Sequence, residues 1–542
     1  AEDFARAAGL IELAWPAMEG SLRSATWLGW VRALPGELVR ARPVLGVAYV
    51  WALLDSDELE SCETRLREAE RWLDTTADTG ARPEAPAAAM VVVDEAQFRT
   101  LPATIATARA RAAQALGDVR GTVHHARRAL DLLPEDAYYA RGVPAALLAV
   151  ASWASGDLEA AHRSFADFTT NMRMAGNTLV AISGTFVLAD ISMAQGRLRE
   201  ALSTYRRSLQ RATAQGAPVL RGTADLHVGL GELQCEQGDL EAATQHLLTS
   251  RALGEGAALP ELRYRSCLAM ARIQEARGDL DGALDLLHEA ERLYSRNLTF
   301  DVRPVAALKT RLWVKQGRLT EALGWARERG LSAHDDLGYL REFEHITLAR
   351  VLLARYAGGR GARSIHEALG LLARLLHAAE EGARAGSAIE ILVLQALAHE
   401  ARGNISPALA PLARALTLAE PEGYVRRFID EGRPMARLLA AAAARGILPD
   451  YTGTLLAAFA AEAHQGEDTA PPPSLAGPLS RREREILQLI ARGLSNREIG
   501  ERLFLALDTV KGHNRGIFGK LRVRRRTEAV AKARSLNLLP PQ

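Results

Sequence analysis

Cysteine is scarce in this chain of 542 residues, and the three present (Cys62, Cys235 and Cys267) stand far apart. Spacing of that kind excludes a disulfide scaffold and a paired-cysteine metal site, and leaves buried, reduced thiols in a cytoplasmic protein as the expectation. Aromatics make up 5% of the residues, yet five of the eight tryptophans (Trp15, Trp27, Trp30, Trp51 and Trp72) fall in the first 72 positions. Most of them are expected in a core. No run of about 20 uninterrupted apolar residues occurs, so no membrane span is expected. The first residues show no basic-then-apolar leader, so no signal peptide is expected either. There is no nucleophile motif, no metal-ligand spacing and no G-x-x-x-x-G-K-[ST] phosphate loop. His124-His125 stands alone and reads as surface. These absences predict neither an enzyme nor a cofactor.

A strong net charge is also lacking: the total is +2. That near-balance hides an asymmetry. From Leu479 onward there are fifteen Lys/Arg against six Asp/Glu, whereas the preceding residues carry 52 against 59. A basic module on a mildly acidic body is the electrostatic footprint of a phosphate-bearing partner.

The body repeats itself. A glycine followed by a polar residue and usually Leu or Ile, then by an Ala-Leu or similar pair, recurs at Gly117, Gly156, Gly196, Gly238, Gly278, Gly317, Gly361 and Gly403. The spacings are 39 to 44 residues, and a relative without the glycine starts at Asp57. The glycine supplies the left-handed turn that ends one helix, and Asp or Asn after it can cap the next. Each unit is thus a helical hairpin that buries its small-residue face by stacking on its neighbours. The fold class predicted is all-α, a superhelix of hairpins that resembles the tetratricopeptide type with units longer than 34 residues. Its concave face suits a small ligand or a protein partner. By position on the first helices, Arg221, His227, Tyr264, Arg303 and Glu342 are candidates to line it. The stretch from Thr75 to Pro102 interrupts the pattern and is expected to be a long loop that lays Val91, Val92 and Val93 on the repeats. The superhelix is expected over 1–464. A proline-rich linker follows at 465–478, with three consecutive prolines. A separate module fills 479–542.

Ser480 with Glu483 and Ser495 with Glu498 form two capping boxes, with Leu494 and Ile499 at staple positions and Gly493 between the helices. This is helix-turn-helix punctuation. On a third helix, near Leu507 to Arg522, steps of 100° turn Val510, Ile517 and Leu521 inward. Lys511, Arg515 and Arg522 fall at about 100–140° and Gly512, Gly516 and Gly519 at about 180–240°, facing outward. The glycines fit either close backbone approach to DNA or tolerated drift. A fourth helix is expected near Thr527 to Leu536.

These residues together resemble the LuxR-type helix-turn-helix family. The match runs through L-S-x-R-E at Leu479, G-L-S-N-x-E-I at Gly493, T-V-K-x-H at Thr509, I-x-x-K-L at Ile517 and R-T-E-A-V at Arg526. The resemblance implies a third helix in the major groove of double-stranded DNA, with Lys511, Gly512 and Arg515 facing the bases. Arg497, Thr509 and Arg522 are the phosphate candidates. It also implies dimer contact through the fourth helix, at Val530 and Ala533. Two positions depart from the family: Ala506 replaces a capping serine, and Arg522 stands where glycine is common. A repeat superhelix ahead of such a module is similar to the large maltose-regulator-like activators, which are signal-transduction ATPases. Their ATP-binding module has no counterpart here. Either the chain is part of a longer protein or it acts without ATP. The implied function is a transcription regulator whose superhelix senses an inducer, assembling on DNA as a homodimer or higher oligomer. The alternative is a protein-binding scaffold with a weak DNA module.

Overall fold

The computed structural model describes residues 3–20, 23–56, 58–77, 90–213, 222–254, 262–294, 302–359, 361, 363–467, 479–521, 523, 525–536 and 538–539. These residues form 28 α-helices and, among them, no strand. The expected all-α hairpin architecture is what is found. Helix pairs such as Tyr138–Ser155 with Leu158–Met174, and Leu262–Ala276 with Leu280–Leu293, pack side by side down the chain.

The repeat glycines act as read: Gly117, Gly156, Gly196, Gly238, Gly278, Gly317 and Gly403 all take positive φ, between 73° and 86°. The exception is Gly361. There the left-handed turn is made two residues earlier, by Gly359 at φ 69°. Asp118, Asp157, Asp239 and Asp279 cap the helices that follow by accepting from the backbone N–H three residues on. Each such cap contributes about 1 kcal/mol. Asn404, expected to act likewise, makes no such bond. The alanine of each unit (Ala126, Ala161, Ala201, Ala243, Ala283, Ala322, Ala368 and Ala408) is completely buried. A larger side chain there would push the two helices apart.

By its contacts the chain divides into two compact units, residues 1–184 and 185–542, with the boundary inside the helix Thr178–Ala194. The first unit is built on an aromatic core. Trp15 and Trp27 are buried with ring centroids 4.6 Å apart, and Trp27 Nε1 donates to the Ile11 carbonyl at 2.8 Å. Trp30 remains exposed. The stretch from Thr75 to Pro102 is helical at both ends, and residues 78–89 within it lie outside the described residues. The helix Cys62–Ala77 runs into it, and the helix Glu95–Ala115, capped by Asp94, takes up its end with Pro102 inside. Val91 and Val93 stay exposed; it is the Val91 N–H that docks, on the Ala41 carbonyl at 2.9 Å. The three cysteines are buried and unpaired.

In the second unit the coil of hairpins meets itself. A Cβ on Gly386, in the helix Ala385–Ala401, would lie 2.4 Å from the Met193 carbonyl oxygen and 3.0 Å from that of Ala194. Beside this contact the Arg199 N–H donates to Glu422 Oε2 at 2.9 Å, and the Val425 N–H donates to the Glu236 carbonyl at 3.1 Å. The short helix Arg426–Ile429 lies across the ends of successive first helices, with Arg426 reaching the Ala276 carbonyl at 3.3 Å. Because backbone meets backbone at Gly386, Gly386→Ala is expected to cost about 1–3 kcal/mol through forced separation. Thermal unfolding reads this directly, and an unchanged midpoint would mean that the two ends of the coil part freely.

The helix Pro449–Glu467 extends three residues beyond 464 into the stretch read as linker. The remainder of that stretch, 468–478, lies outside the described residues. The last four helices are Arg481–Ala491, Asn496–Leu503, Leu507–Leu521 and Arg526–Ser535. Both capping boxes are formed, and Gly493 takes φ 85° between them.

Candidate functional site

Two places in the second unit gather charge: the C-terminal four-helix module and the interior of the repeats. In the module, the turn between the second and third helices is tight. A Cβ on Gly500 would meet the Leu505 carbonyl oxygen at 2.7 Å, and Phe504 takes φ 58°. The completely buried Arg482 donates to the Leu503 carbonyl at 2.6 Å and pairs with Glu485 at 2.8 Å. Arg526 donates to the carbonyls of Ile490 and Leu494. Lys520 pairs with Glu483 at 2.6 Å. These three cations hold the module together, so its count of positive charge overstates what is offered to a partner.

The third helix turns Val510, Ile517 and Leu521 into the core. Asn514 joins them, donating to Asn496 Oδ1 at 2.8 Å. Lys511, Gly512 and Arg515 are exposed together on the outer face. Lys511 pairs with Asp508 at 2.9 Å, both side chains being substantially exposed, and that hydrogen bond holds the Asp508 carboxyl below its ordinary range. Around Gly512 and Gly519 a Cβ would meet nothing within 4 Å. Gly516 differs from the outward position read for it, since a Cβ there would lie 3.0 Å from Glu483 Oε1. Arg497 is exposed and pairs with Glu501 at 3.1 Å, and Thr509 is half-buried. Arg522 lies outside the described residues. Ala533 corrects an expectation: it is completely buried within the module's own core and reaches no surface. Val530 is half-buried against the same core.

The module rests on the repeats. The imidazole of His513, on the third helix, donates from Nε2 to Asp285 Oδ2 at 2.6 Å. Arg251 donates to the Glu501 carbonyl, its guanidinium 5.2 Å from the centre of the Phe504 ring. Asp285 and Arg251 belong to the helices Leu280–Leu293 and Leu240–Leu253, the second helices of adjacent hairpins. Neither residue has a local signal, because the contacts join positions 228 and 250 residues apart.

Inside the coil, first helices present charged residues at almost the repeat period: Glu236, Arg272, Arg311, Arg350 and Glu390. Arg427, from the short crossing helix, joins them. Glu390 Oε1 accepts from Arg350 at 2.9 Å and forms an ion pair with Arg311 at 2.8 Å, and Oε2 accepts from Arg427. Arg350 also reaches Glu431 at 2.7 Å, and Arg272 reaches Glu236 at 2.5 Å. Burial opposes ionisation of Glu390, but Arg311, Arg350 and Arg427 outweigh it and hold the carboxyl well below its ordinary range.

Of the residues predicted to line the concave face, Arg303 is brought to this cluster, acting electrostatically on Asp190, Glu232, Glu236 and Arg311. The others are placed differently. Glu342 is buried and spends both oxygens inside the fold, on Arg384 at 2.6 Å and Ser387 at 2.5 Å. His227 is half-buried with Nδ1 2.8 Å from His246 Nδ1, and burial lowers both imidazoles from their ordinary value. Tyr264 packs on Tyr294, ring centroids 5.7 Å apart. Arg221 lies outside the described residues.

Comparison with known proteins accounts for both parts. The family described as MalT-like TPR region matches residues 103–445, and that described as bacterial regulatory proteins, luxR family, matches residues 477–533. The HTH-type transcriptional regulator MalT of Cronobacter sakazakii (strain ATCC BAA-894) is 24% identical over 530 residues, covering 93% of this chain. The chain spans 55% of that regulator's length. Among solved structures, a Rap protein complexed with competence and sporulation factor aligns at TM-score 0.45 and 12% identity, covering 70% of this chain and 98% of that one. The apo form of the quorum sensor NprR from B. thuringiensis aligns at 0.38 and 12%, covering 77% and 99%. With the repeat region filling most of the chain and a luxR-type module closing it, this protein belongs to the MalT-like family of luxR-type transcription regulators.

Proposed function

We propose that the hairpins of the second unit sense a small ligand or a protein partner and hold the DNA-binding module docked until it arrives. The observation that carries this reading is the His513–Asp285 hydrogen bond. A recognition helix is about 10–12 Å across with its side chains, and the major groove is about 12 Å wide, so both flanks of the helix must be clear to enter it. Lys511, Gly512 and Arg515 face outward, while the flank bearing His513 lies against a repeat helix. Undocking frees that flank. Two freed modules then bind DNA as a pair, with Lys511 and Arg515 supplying charge and Gly512 letting the backbone approach.

The test is salt-sensitive binding of promoter DNA by the full chain and by Asp285→Asn. Loss of one charged hydrogen bond, worth roughly 1–2 kcal/mol, shifts a docking equilibrium enough to tighten DNA binding about three- to tenfold. Equal affinities would reject docking as the restraint. Absence of any salt-sensitive binding, alongside a tight protein partner, would favour a scaffold.

A further inference from the structure

We infer that the arginine cluster inside the coil, centred on Arg311 with Arg303 in its neighbourhood, binds the carboxylate or phosphate group of a small anionic ligand. The inference rests on the sensing role proposed above and gives the ligand its chemical class.

The argument begins with the number of acceptors. Glu390 is shared by three guanidiniums, those of Arg311, Arg350 and Arg427. Arg350 has a second carboxylate in Glu431, and Arg427 has Glu236 at 3.4 Å. Arg311 has none. Its Nε donates to Thr347 Oγ1 at 2.9 Å, its guanidinium stacks 3.7 Å from the centre of the Phe343 ring, and Nη2 has no hydrogen-bond partner among the described residues. Burial, together with Arg350, Arg427 and Arg303 nearby, pushes Arg311 down to about 9 despite Glu390. A guanidinium in water titrates above 12, so burial beside other cations makes this the least compensated of the three that share Glu390.

Burial raises the nearby Asp190 and Glu232 carboxyls from their ordinary range, and Arg265 and Arg303 oppose that rise. Around Arg311 the guanidiniums of Arg350 and Arg427 converge on the single carboxylate of Glu390. The side chains of Arg311 and Arg350 remain 15% exposed and that of Arg427 18%, while Arg311 Nη2 itself is buried, so an anion would reach it past the exposed edges of these guanidiniums. A planar fork with an unfilled donor, clamped by an aromatic face and a hydroxyl, is pre-organised for a carboxylate or phosphate oxygen. An anion there would tie first helices of successive hairpins to the crossing segment and so alter how the coil closes.

The experiment uses the full chain, with citrate and inorganic phosphate as separate probes and sodium chloride at matched ionic strength as control. The thermal midpoint should rise saturably with one of the two probes, by roughly 2–4 °C near saturation, and not with chloride. Whichever probe acts identifies the carboxylate or the phosphate class. Arg311→Gln and Arg303→Gln should each lose the saturable rise; Arg303, with no hydrogen bond to another described residue, serves if the first variant does not fold. A rise matched by chloride, or retained in full by the variants that fold, overturns the site. DNA affinity measured at saturating probe tests the sensing role separately. A rise lost in the variants with unchanged DNA affinity upholds the site and rejects that role for the anion.

Discussion

Glu390→Gln should destabilise the second unit by about 3–5 kcal/mol, the cost of leaving buried cations without their counter-charge. Glu390 is 3% exposed, and its two oxygens form ion pairs with three arginines. An amide offers one acceptor and turns an NH2 group toward a guanidinium. Three positive charges then face each other across a half-buried interior, where screening is weaker than in water. Because Arg311 contributes to that repulsion, Glu390→Gln combined with Arg311→Gln should be less damaged than Glu390→Gln alone. The pH dependence follows from the depressed carboxyl. A group whose folded value lies below its unfolded one stabilises the fold above the ordinary carboxylate range near 4.5, and that contribution is lost as pH falls toward the folded value. The gap between native and variant proteins should therefore be full at neutral pH and narrow under acid. Urea unfolding followed by helical circular dichroism measures it. A neutral-pH difference below about 1 kcal/mol would mean that water screens the cluster.

How much of this could be read beforehand depends on the distance over which each feature is determined. Glycine turns, Asp caps and buried alanines are set within a dozen residues, and all were legible in the repeats. Gly359 replacing Gly361 shows the limit, since two glycines so close leave the turn to be chosen by packing. The third helix of the module was legible because Val510, Ile517 and Leu521 keep a strict helical period. Ala533 was misplaced because a small apolar residue on a short helix fits its own core as well as a dimer face. Closure at Gly386 and the His513–Asp285 bond join distant segments and leave no periodic trace. The arginine cluster is the intermediate case. Glu236, Arg272, Arg311, Arg350, Glu390 and Arg427 are separated by 36 to 40 residues, a charged position recurring with the repeat. That recurrence shows only when the repeats are aligned with one another, and of the residues expected on the concave face Arg303 alone acts electrostatically on Arg311.

The largest effect expected on DNA comes from Lys511→Ala combined with Arg515→Ala. Both side chains are exposed on the outer face of the third helix and neither supports the core, so the variant should fold as the native chain does. Each cation that neutralises a phosphate contributes about 0.9 to the slope of log affinity against log salt, so losing both should flatten it by about 2. At about 0.1 M salt the same relation gives a fall in affinity of roughly 50- to 100-fold. Lys511 must leave Asp508 to reach a phosphate, and that pair is exposed enough to exchange at little cost. Asp508→Asn should consequently tighten binding slightly. Arg497→Ala is the graded comparison, since Arg497 is tied to Glu501 at 3.1 Å with both side chains exposed and should change the slope by no more than about 1. Arg482→Ala is the opposite control: its guanidinium is buried between Leu503 and Glu485, so it should lower the module's thermal stability before it says anything about DNA. If the Lys511/Arg515 double variant keeps both the affinity and the slope of the native chain, the reading face lies elsewhere on the module. The remaining exposed cation near the docked edge of the second helix, Arg502, would then be the next residue to remove.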